Sequence, residues 1–469
     1  MFAATGDFWP KLRQLFSIDV RSLAAFRVGL GALVTLDLVA RWPLIEVLYT
    51  DEGLVPRELL KSSLVDSLDL YRMSGSYAWA AGCMALTLSC SLLFTVGCRT
   101  RSATVVLWLL MSALLRRNPL ATDGGDSLVR CFLFWSMFLP LGGCWSVDAR
   151  FRERPPSPVY SAASAALLLQ PALLYLVTGV LKNTTPWRAG YAVFLALQQT
   201  EWVRPLGVWL SQQAHLVEWL TFATRVVEIG APVLLFLPVF TARARALGVA
   251  LLVALQIGLA TSLRLNFFPF YSSVAWLAFV PSTWWDRFLV SRVPMLGRSL
   301  PSTPRHPWPR YWLLVREAIV LVALLLGTVV GLARTEARGL IAHATMTLGF
   351  AQRWYMYRDF DNDYSRVRTV ATLANGTSVD LRTDQGHLLD SPLEDWARSY
   401  RADIILDALT LGNQAFSRAF ARVVCRRWNA GTARGSALTS LTLTTRVVWQ
   451  YRPRPTFESV LHEPCVTRR

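Results

Sequence analysis

The feature that most constrains this chain is a series of long apolar segments, separated by short stretches that carry most of the charged residues. Each segment approaches the roughly 20 residues that a helix needs to cross the hydrocarbon core of a bilayer. Of the 469 residues, 53% are hydrophobic and only 17% are charged, which is too apolar for a soluble protein of this length. The sequence therefore predicts a polytopic membrane protein.

The apolar segments predict an all-α polytopic membrane bundle of about 8–9 transmembrane helices, several of them shorter than a full span. They lie at about 23–41, 77–97, 103–117, 127–141, 160–181, 216–238, 245–263, 267–282 and 312–333. The segment 189–212 mixes Trp and Leu with Gln, Glu and Arg, so it predicts an interfacial or re-entrant helix. The membrane domain is expected to cover residues 1–340.

Orientation is predicted from the loops. The formal net charge is +17, and the basic residues fall in short loops instead of forming a stripe, which favours membrane orientation over nucleic-acid binding. Alternate loops carry arginines with few acids, so the N-terminus is expected in the cytosol. Nine crossings would place the tail in the lumen or outside the cytosol. The glycosylation sequons at Asn183 and Asn375 would then lie on that side.

The tail, 343–469, predicts a small α+β extracytoplasmic domain. Asn375-Gly376 between β-branched runs is a strong hairpin signal, Asn413 is a candidate cap for a following helix, and 440–453 alternates like a strand. A Cys425–Cys465 disulfide is expected only if the tail is lumenal. No cysteine pair has metal-ligand spacing, and no phosphate-binding glycine loop occurs, so neither a metal nor a nucleotide is indicated.

Ionisable residues inside the apolar segments are the candidate functional residues, because each costs about 2.5–3.5 kcal/mol at bilayer depth unless it is paired. Three pairs have helical spacing, and each is either a structural ion pair or part of a pocket. These are Asp37 with Arg41, Asp126 with Arg130, and Arg225 with Glu228. Lys182 ends an apolar segment, where it is either an interfacial lysine or a desolvated base.

Several stretches resemble the horizontally transferred transmembrane (HTTM) domain, the module shared by vitamin K-dependent gamma-glutamyl carboxylase and many bacterial proteins. They are AAFRVGLGALVTLDLVARWPLIEVLYTDEGLVPR from residue 24, GGD at 124–126, WSVD at 145–148, GVLKNTTPWRAGY at 179–191 and LRLNFFPF at 263–270. The resemblance spans about residues 20–285. The tail, with QRWYMYRD at 352–359, is similar to that of the bacterial-type members.

The resemblance implies that Lys182 matches the catalytic lysine of the carboxylase, which deprotonates vitamin K hydroquinone. It also implies that Arg27, Asp37 and Glu228 belong to a shared polar interior, and that Asp126 and Arg130 shape the pocket. Two positions depart from the carboxylase pattern, since Gly125 and Gln256 stand where histidines are expected. The part that binds the substrate propeptide is also not recognisable.

Two functions remain open from the sequence. The first is a quinol-linked carboxylase or epoxidase, a lyase-like enzyme with Lys182 as base, reduced vitamin K or another quinol as cofactor, and a lumenal protein as substrate. The second is a non-enzymatic membrane scaffold or a lipid- or quinone-binding protein. A transporter is less favoured, because no internal repeat is visible. Membrane lipids are expected partners and nucleic acid is not. The expected location is the endoplasmic reticulum or secretory pathway in a eukaryote, or the inner membrane in a bacterium.

Overall fold

A computed structural model shows how the apolar segments are arranged. It describes residues 8–60, 69–151, 155, 157–198, 203–289, 315–325, 363–380, 414–431, 437–449 and 457–465. The first half of the chain is helical. Its helices are α1 (Phe8–Leu15), α2 (Val20–Arg41), α3 (Ile45–Tyr49), α4 (Tyr77–Val96), α5 (Thr100–Arg117) and α6 (Gly124–Ser136). Two short strands pair with each other: β1 (Ser17–Ile18), between α1 and α2, and β2 (Val159–Tyr160), which follows α6 in the chain.

The helical region continues with α7 (Ala162–Leu181), α8 (Thr185–Arg188), α9 (Ala192–Leu197), α10 (Pro205–Ser211), α11 (Ala214–Leu235), α12 (Thr241–Ser262), α13 (Phe268–Ala275) and α14 (Ser282–Leu289). Residues 315–325 form a further helix, α15. Each predicted membrane segment therefore contains helix. The segment 189–212, expected to be an interfacial or re-entrant helix, contains two short helices, α9 and α10, instead of one.

Four helical segments are long and apolar enough to cross a membrane: Val20–Tyr49, Tyr77–Val96, Ala162–Leu181 and Thr241–Ser262. The expected count of 8–9 spans is not established by length and composition. The helix α11 is long enough but does not qualify, because three charged residues lie within it: Glu218, Arg225 and Glu228. The structure therefore supports a membrane protein without fixing the number of crossings.

Local sequence signals set the ends of these helices. Asp19 caps α2 by accepting a hydrogen bond from the Arg21 backbone amide at 2.7 Å. Reciprocal capping boxes begin α6 at Asp123 and α7 at Ser161. Gly97 ends α4 in the left-handed conformation at φ 72°, a position that favours glycine.

The tail contains a four-stranded antiparallel sheet with the order β4, β3, β5, β6. Its strands are β3 (Asp363–Leu373), β4 (Ser378–Asp380), β5 (Leu438–Trp449) and β6 (Phe457–Pro464), and α16 (Gln414–Gly431) packs against it. The Asn375-Gly376 hairpin is confirmed between β3 and β4, with Gly376 at φ 82°. Asn413, the expected helix cap, lies outside the described residues.

A disulfide and two ion pairs fix the position of α16. Cys425 in α16 is bonded to Cys465, which follows β6. Arg427 Nη2 lies 2.9 Å from Glu46 Oε2, and Arg426 Nη1 lies 3.3 Å from a carboxylate oxygen of Glu52. Because Glu46 and Glu52 belong to α3 and the turn after it, the tail contacts the helical region at the C-terminal end of α2.

Candidate functional site

Lys182 lies directly after the last turn of α7 and is buried. Its backbone amide donates to the Thr178 carbonyl at 3.0 Å, so the residue caps the helix, and it is only 5% exposed. A lysine that snorkels to an interface keeps its ammonium group in water. Lys182 instead holds its ammonium group inside the protein.

The partner of Lys182 is Glu228 of α11. Lys182 Nζ lies 2.5 Å from Glu228 Oε1, and Glu228 is likewise 5% exposed. The Lys182 ammonium also lies 4.8 Å from the centre of the Trp187 ring, within the range of a cation–π interaction. Glu228 was predicted to pair with Arg225 one turn away. That prediction is wrong, because the carboxylate points to α7.

A glycine allows α7 and α11 to approach closely enough for this pair to form. A Cβ atom at Gly179 would lie 2.8 Å from the Ile229 side chain and 2.9 Å from the Glu228 side chain. Any larger residue at 179 would therefore push the two helices apart. The glycine lies three residues before Lys182 in the sequence GVLK, and the close helix packing that it allows brings Lys182 to Glu228.

One oxygen of the Glu228 carboxylate is left open. Glu228 Oε2 is buried and has no hydrogen-bond partner among the described residues. Thr178 lies beside it, but its hydroxyl donates to the backbone carbonyls of Leu174 and Tyr175, each at 3.0 Å. A buried acceptor without a donor is unfavourable. The atom is therefore suited to accept a hydrogen bond from a bound molecule.

A second polar group lies two turns earlier on the same face of α7. The Tyr175 hydroxyl lies 2.5 Å from the Ser272 hydroxyl of α13, and the Gln256 side-chain amide of α12 donates to Tyr175. Gln256 Oε1 is also buried without a partner in the described part of the chain. Sequence analysis missed Tyr175 and Ser272. The seven-residue interval between Tyr175 and Lys182 places these two residues on the same face of α7 and could have indicated Tyr175.

We call Lys182, Glu228, Tyr175, Gln256 and Ser272 the α7 polar cluster. It is assembled from four helices, α7, α11, α12 and α13. Both open acceptors, one on Glu228 and one on Gln256, belong to this cluster.

Two other predicted pocket residues, Asp37 and Asp126, belong to a separate network around Arg41, which we call the Arg41 network. Arg41 Nη2 lies 2.5 Å from Asp37 Oδ2 and also bonds Asp126 Oδ1, while Nη1 lies 3.1 Å from the Tyr49 hydroxyl. The Asp37–Arg41 pair is confirmed. Asp126 bonds Arg41 across the bundle and, through Oδ2, accepts from the Asp123 amide at 3.1 Å.

Arg27 lies apart from both groups. Its guanidinium donates to the Leu141 carbonyl at 2.8 Å, the Trp145 carbonyl at 2.5 Å and the Cys144 carbonyl at 3.4 Å. These contacts hold the turn after α6 against α2. Arg27 is therefore a structural residue for the loop that contains WSVD, at the opposite end of α2 from Arg41.

The two predicted glycosylation residues are exposed. Asn183 follows Lys182 directly, and Asn375 lies in the turn between β3 and β4. The Asn375 side chain accepts hydrogen bonds from the Thr377 amide at 3.0 Å and the Thr377 hydroxyl at 2.7 Å. Exposure is a requirement for modification, and both residues meet it.

Comparison with known proteins gives one match. The model of the HTTM domain matches residues 16–284, which is more than half of the chain and contains every residue of the α7 polar cluster and of the Arg41 network. No curated protein matches the sequence, and no solved structure matches it.

Proposed function

This chain belongs to the HTTM domain family, and we propose that it is an integral membrane enzyme that binds a quinol such as reduced vitamin K and removes a proton from it. The observation that carries this proposal is the buried Lys182–Glu228 pair with an open acceptor at Glu228 Oε2. The resemblance to the carboxylase indicates Lys182 as the functional lysine, and Glu228 supplies the carboxylate that is paired with it.

The residues present fit a quinol. Its hydroxyl groups are hydrogen-bond donors, and the α7 polar cluster offers two buried acceptors without donors, Glu228 Oε2 and Gln256 Oε1. Its ring is apolar, and the Trp187 ring, which is buried, lies against the Lys182 ammonium group at the pair. A bound quinol supplies an acidic hydroxyl and two electrons.

Lys182 and Glu228 act together as the base in this proposal. A lysine in an ion pair is an ammonium group and has no lone pair to accept a proton. Glu228 Oε2 therefore accepts the hydroxyl proton, and the Lys182 ammonium offsets the negative charge that develops beside it. Trp187 covers the other side of the ammonium group and excludes water from it. Tyr175, held by Gln256 and Ser272, orients the second oxygen.

A test of this function measures quinol oxidation. The purified full-length protein in detergent is supplied with reduced vitamin K, oxygen and bicarbonate, and epoxide formation is followed. We expect epoxide with the wild type and a loss of at least about 100-fold in Lys182→Ala and Glu228→Gln, the size usual for removing a general base. Arg225→Gln is the matched control, because Arg225 is on the same helix and forms no ion pair with Glu228 in the described structure.

The second candidate function is quinone or lipid binding without turnover. It is favoured by the observation that Lys182 is engaged on both sides, by Glu228 and by Trp187. If the folded wild type forms no epoxide but binds the quinol, and Glu228→Gln weakens that binding, the chain is a binding protein. If it neither binds nor oxidises a quinol, both candidates are wrong.

For location, we propose that the N-terminus is cytosolic and that the tail lies outside the cytosol. The Cys425–Cys465 disulfide supports this, because disulfides persist in oxidising compartments. The exposed asparagines of the two sequons agree with it. A thiol-reactive reagent that does not cross membranes should label Cys425→Ser protein at Cys465 from the extracytoplasmic side, and labelling from the cytosolic side would reverse the topology.

A further inference from the structure

A cavity of about 830 Å³ lies at the other end of the helical region from Lys182. Residues from α1, from the start of α12 and from the segment 278–283 line it, together with Pro158 just before β2. Since α7 begins right after β2 and has 20 residues, a rise of 1.5 Å per residue separates the cavity from Lys182 by about 30 Å. The α7 polar cluster and the cavity are therefore independent sites.

A buried arginine without an acidic partner contributes to the wall of this cavity. Arg245 is 8% exposed, and it donates to the Leu235 carbonyl at 3.0 Å and to the Leu15 carbonyl. No carboxylate lies within ion-pair distance of it among the residues that the structure describes. A buried cation without a counter-ion is costly. The described contacts of Arg245 are these two carbonyls and the Phe279 ring, whose centre is 5.8 Å from the guanidinium carbon, so no full negative charge balances it there.

A second cation and two helix N-termini also favour the binding of an anion in the cavity. Arg13 lines the cavity, stacks over the Tyr160 ring at 5.6 Å and has no ion pair in the described part of the chain. Thr241 and Ser282, the first residues of α12 and α14, also line it, and helix N-termini favour anions. The α12 N-terminus has no side-chain cap, so its first amides are available.

Among the described residues that line the cavity, the acidic one is Asp19, and it is already ion-paired. Asp19 accepts hydrogen bonds from Arg21 at 2.9 and 3.0 Å, and Arg21 also bonds Asp286 at 2.7 Å. Asp19 is therefore not available to balance Arg13 or Arg245. The opposite wall is apolar, with Ala278, Phe279 and Val280.

From these observations we infer that the cavity is a binding site for a phosphate monoester, whose two negative charges match two arginines, with the phosphate between Arg245, Arg13 and the start of α12. A cavity of this volume has space for a phospholipid headgroup, and its apolar wall suits the beginning of an acyl chain. A soluble phosphate ester would use the same basic groups. The inference does not depend on the quinol proposal.

Thermal unfolding of the full-length protein in a non-ionic detergent tests the site. The probes are short-chain phosphatidic acid, short-chain phosphatidylcholine and glycerol phosphate. We expect phosphatidic acid to raise the unfolding temperature, and we expect its apparent affinity to fall about tenfold in Arg13→Gln through loss of a charge-assisted contact. Ala242→Trp, which fills the cavity without changing its charge, should abolish the effect. Arg243→Gln is the matched control, since Arg243 is an exposed neighbour outside the cavity wall.

Each outcome has a definite meaning. Stabilisation by phosphatidic acid alone identifies a lipid headgroup, and equal stabilisation by glycerol phosphate identifies a soluble ester. The inference is overturned if phosphatidylcholine stabilises as well as phosphatidic acid, if no probe stabilises, or if Ala242→Trp and Arg13→Gln respond like the wild type. Lys182 does not line the cavity, so Lys182→Ala should bind phosphatidic acid with the affinity of the wild type. A failed quinol assay therefore does not affect this result.

Discussion

The α7 polar cluster and the Arg41 network are both buried and charged, yet they differ in how completely their atoms are bonded. In the Arg41 network every guanidinium nitrogen donates a hydrogen bond, to Asp37, Asp126 or Tyr49. In the α7 polar cluster, Glu228 and Gln256 each keep one buried oxygen without a donor.

This difference distinguishes residues with a structural role from candidates for a functional role. A fully bonded charge network stabilises one arrangement of helices and has no atom left for a ligand. A cluster with open acceptors is less stable than it could be, and such unsatisfied groups are typical of functional sites. Lys182 and Glu228 are therefore better candidates for function than Asp37, Asp126 or Arg27, which bond other parts of the protein.

The largest expected effect comes from Arg41→Gln. It leaves the carboxylates of Asp37 and Asp126, which are 2% and 1% exposed, without their shared cation. Removing one partner of a buried ion pair is strongly destabilising, and here we expect a loss of about 5 kcal/mol in the free energy of unfolding. Arg243→Gln removes the same charge from an exposed position and should change stability by less than about 0.5 kcal/mol. An unchanged unfolding temperature in Arg41→Gln would remove the structural role assigned to this network.

A smaller loss is expected from Lys182→Met, about 3 kcal/mol, because Glu228 is left buried without its counter-ion. The double variant Lys182→Met with Glu228→Leu should recover most of this stability, since an apolar pair can replace an ion pair. Activity should remain absent in the double variant. A double-mutant cycle from thermal unfolding measures the coupling, and additive effects would show that the two side chains do not interact.

Trp187→Phe should lower stability by about 1 kcal/mol, because phenylalanine interacts more weakly with the Lys182 ammonium than tryptophan does. The same change made in the Lys182→Met background should have a smaller effect, as no cation remains above the ring. Equal effects in the two backgrounds would mean that Trp187 contributes only apolar packing.

The smallest change in stability is expected for Gln256→Leu, within about 1 kcal/mol, because removing a buried acceptor that has no donor offsets the lost hydrogen bond to the Tyr175 hydroxyl, which keeps Ser272 as a partner. Its affinity for a quinol should nevertheless fall. Equilibrium binding and thermal unfolding, measured on the same preparation, separate the two effects. A large loss of stability with unchanged quinol affinity would assign Gln256 to the structural class, with the Arg41 network.

Local patterns in the sequence predicted the helices and their local contacts. The apolar segments became helices because each buries apolar side chains over enough turns, and the Asn375-Gly376 hairpin formed because glycine accepts positive φ. The Asp37–Arg41 pair was predictable from its four-residue spacing. Lys182 was found from its position at the end of an apolar segment and from its resemblance to the carboxylase.

Contacts between distant segments were not predictable. Glu228 was assigned to Arg225 by helical spacing, whereas it bonds Lys182, 46 residues away. Asp126 was expected beside Arg130 from its four-residue spacing, and it also bonds Arg41, 85 residues away, which that spacing does not indicate. Ser272 carries no signal in the sequence that distinguishes it from ordinary helix residues, and Tyr175 carries only its seven-residue interval to Lys182.

By itself, the sequence determined the helical segments, the tail hairpin and the presence of a lysine at the end of α7, because these depend on hydrophobicity and backbone preference over a few neighbouring residues. Only the tertiary structure decided which buried charges meet and which acceptors stay open. Those choices depend on how closely helices approach, as Gly179 allows between α7 and α11. A buried charge pairs with the partner that packing brings within reach, and spacing along one helix does not contain that information.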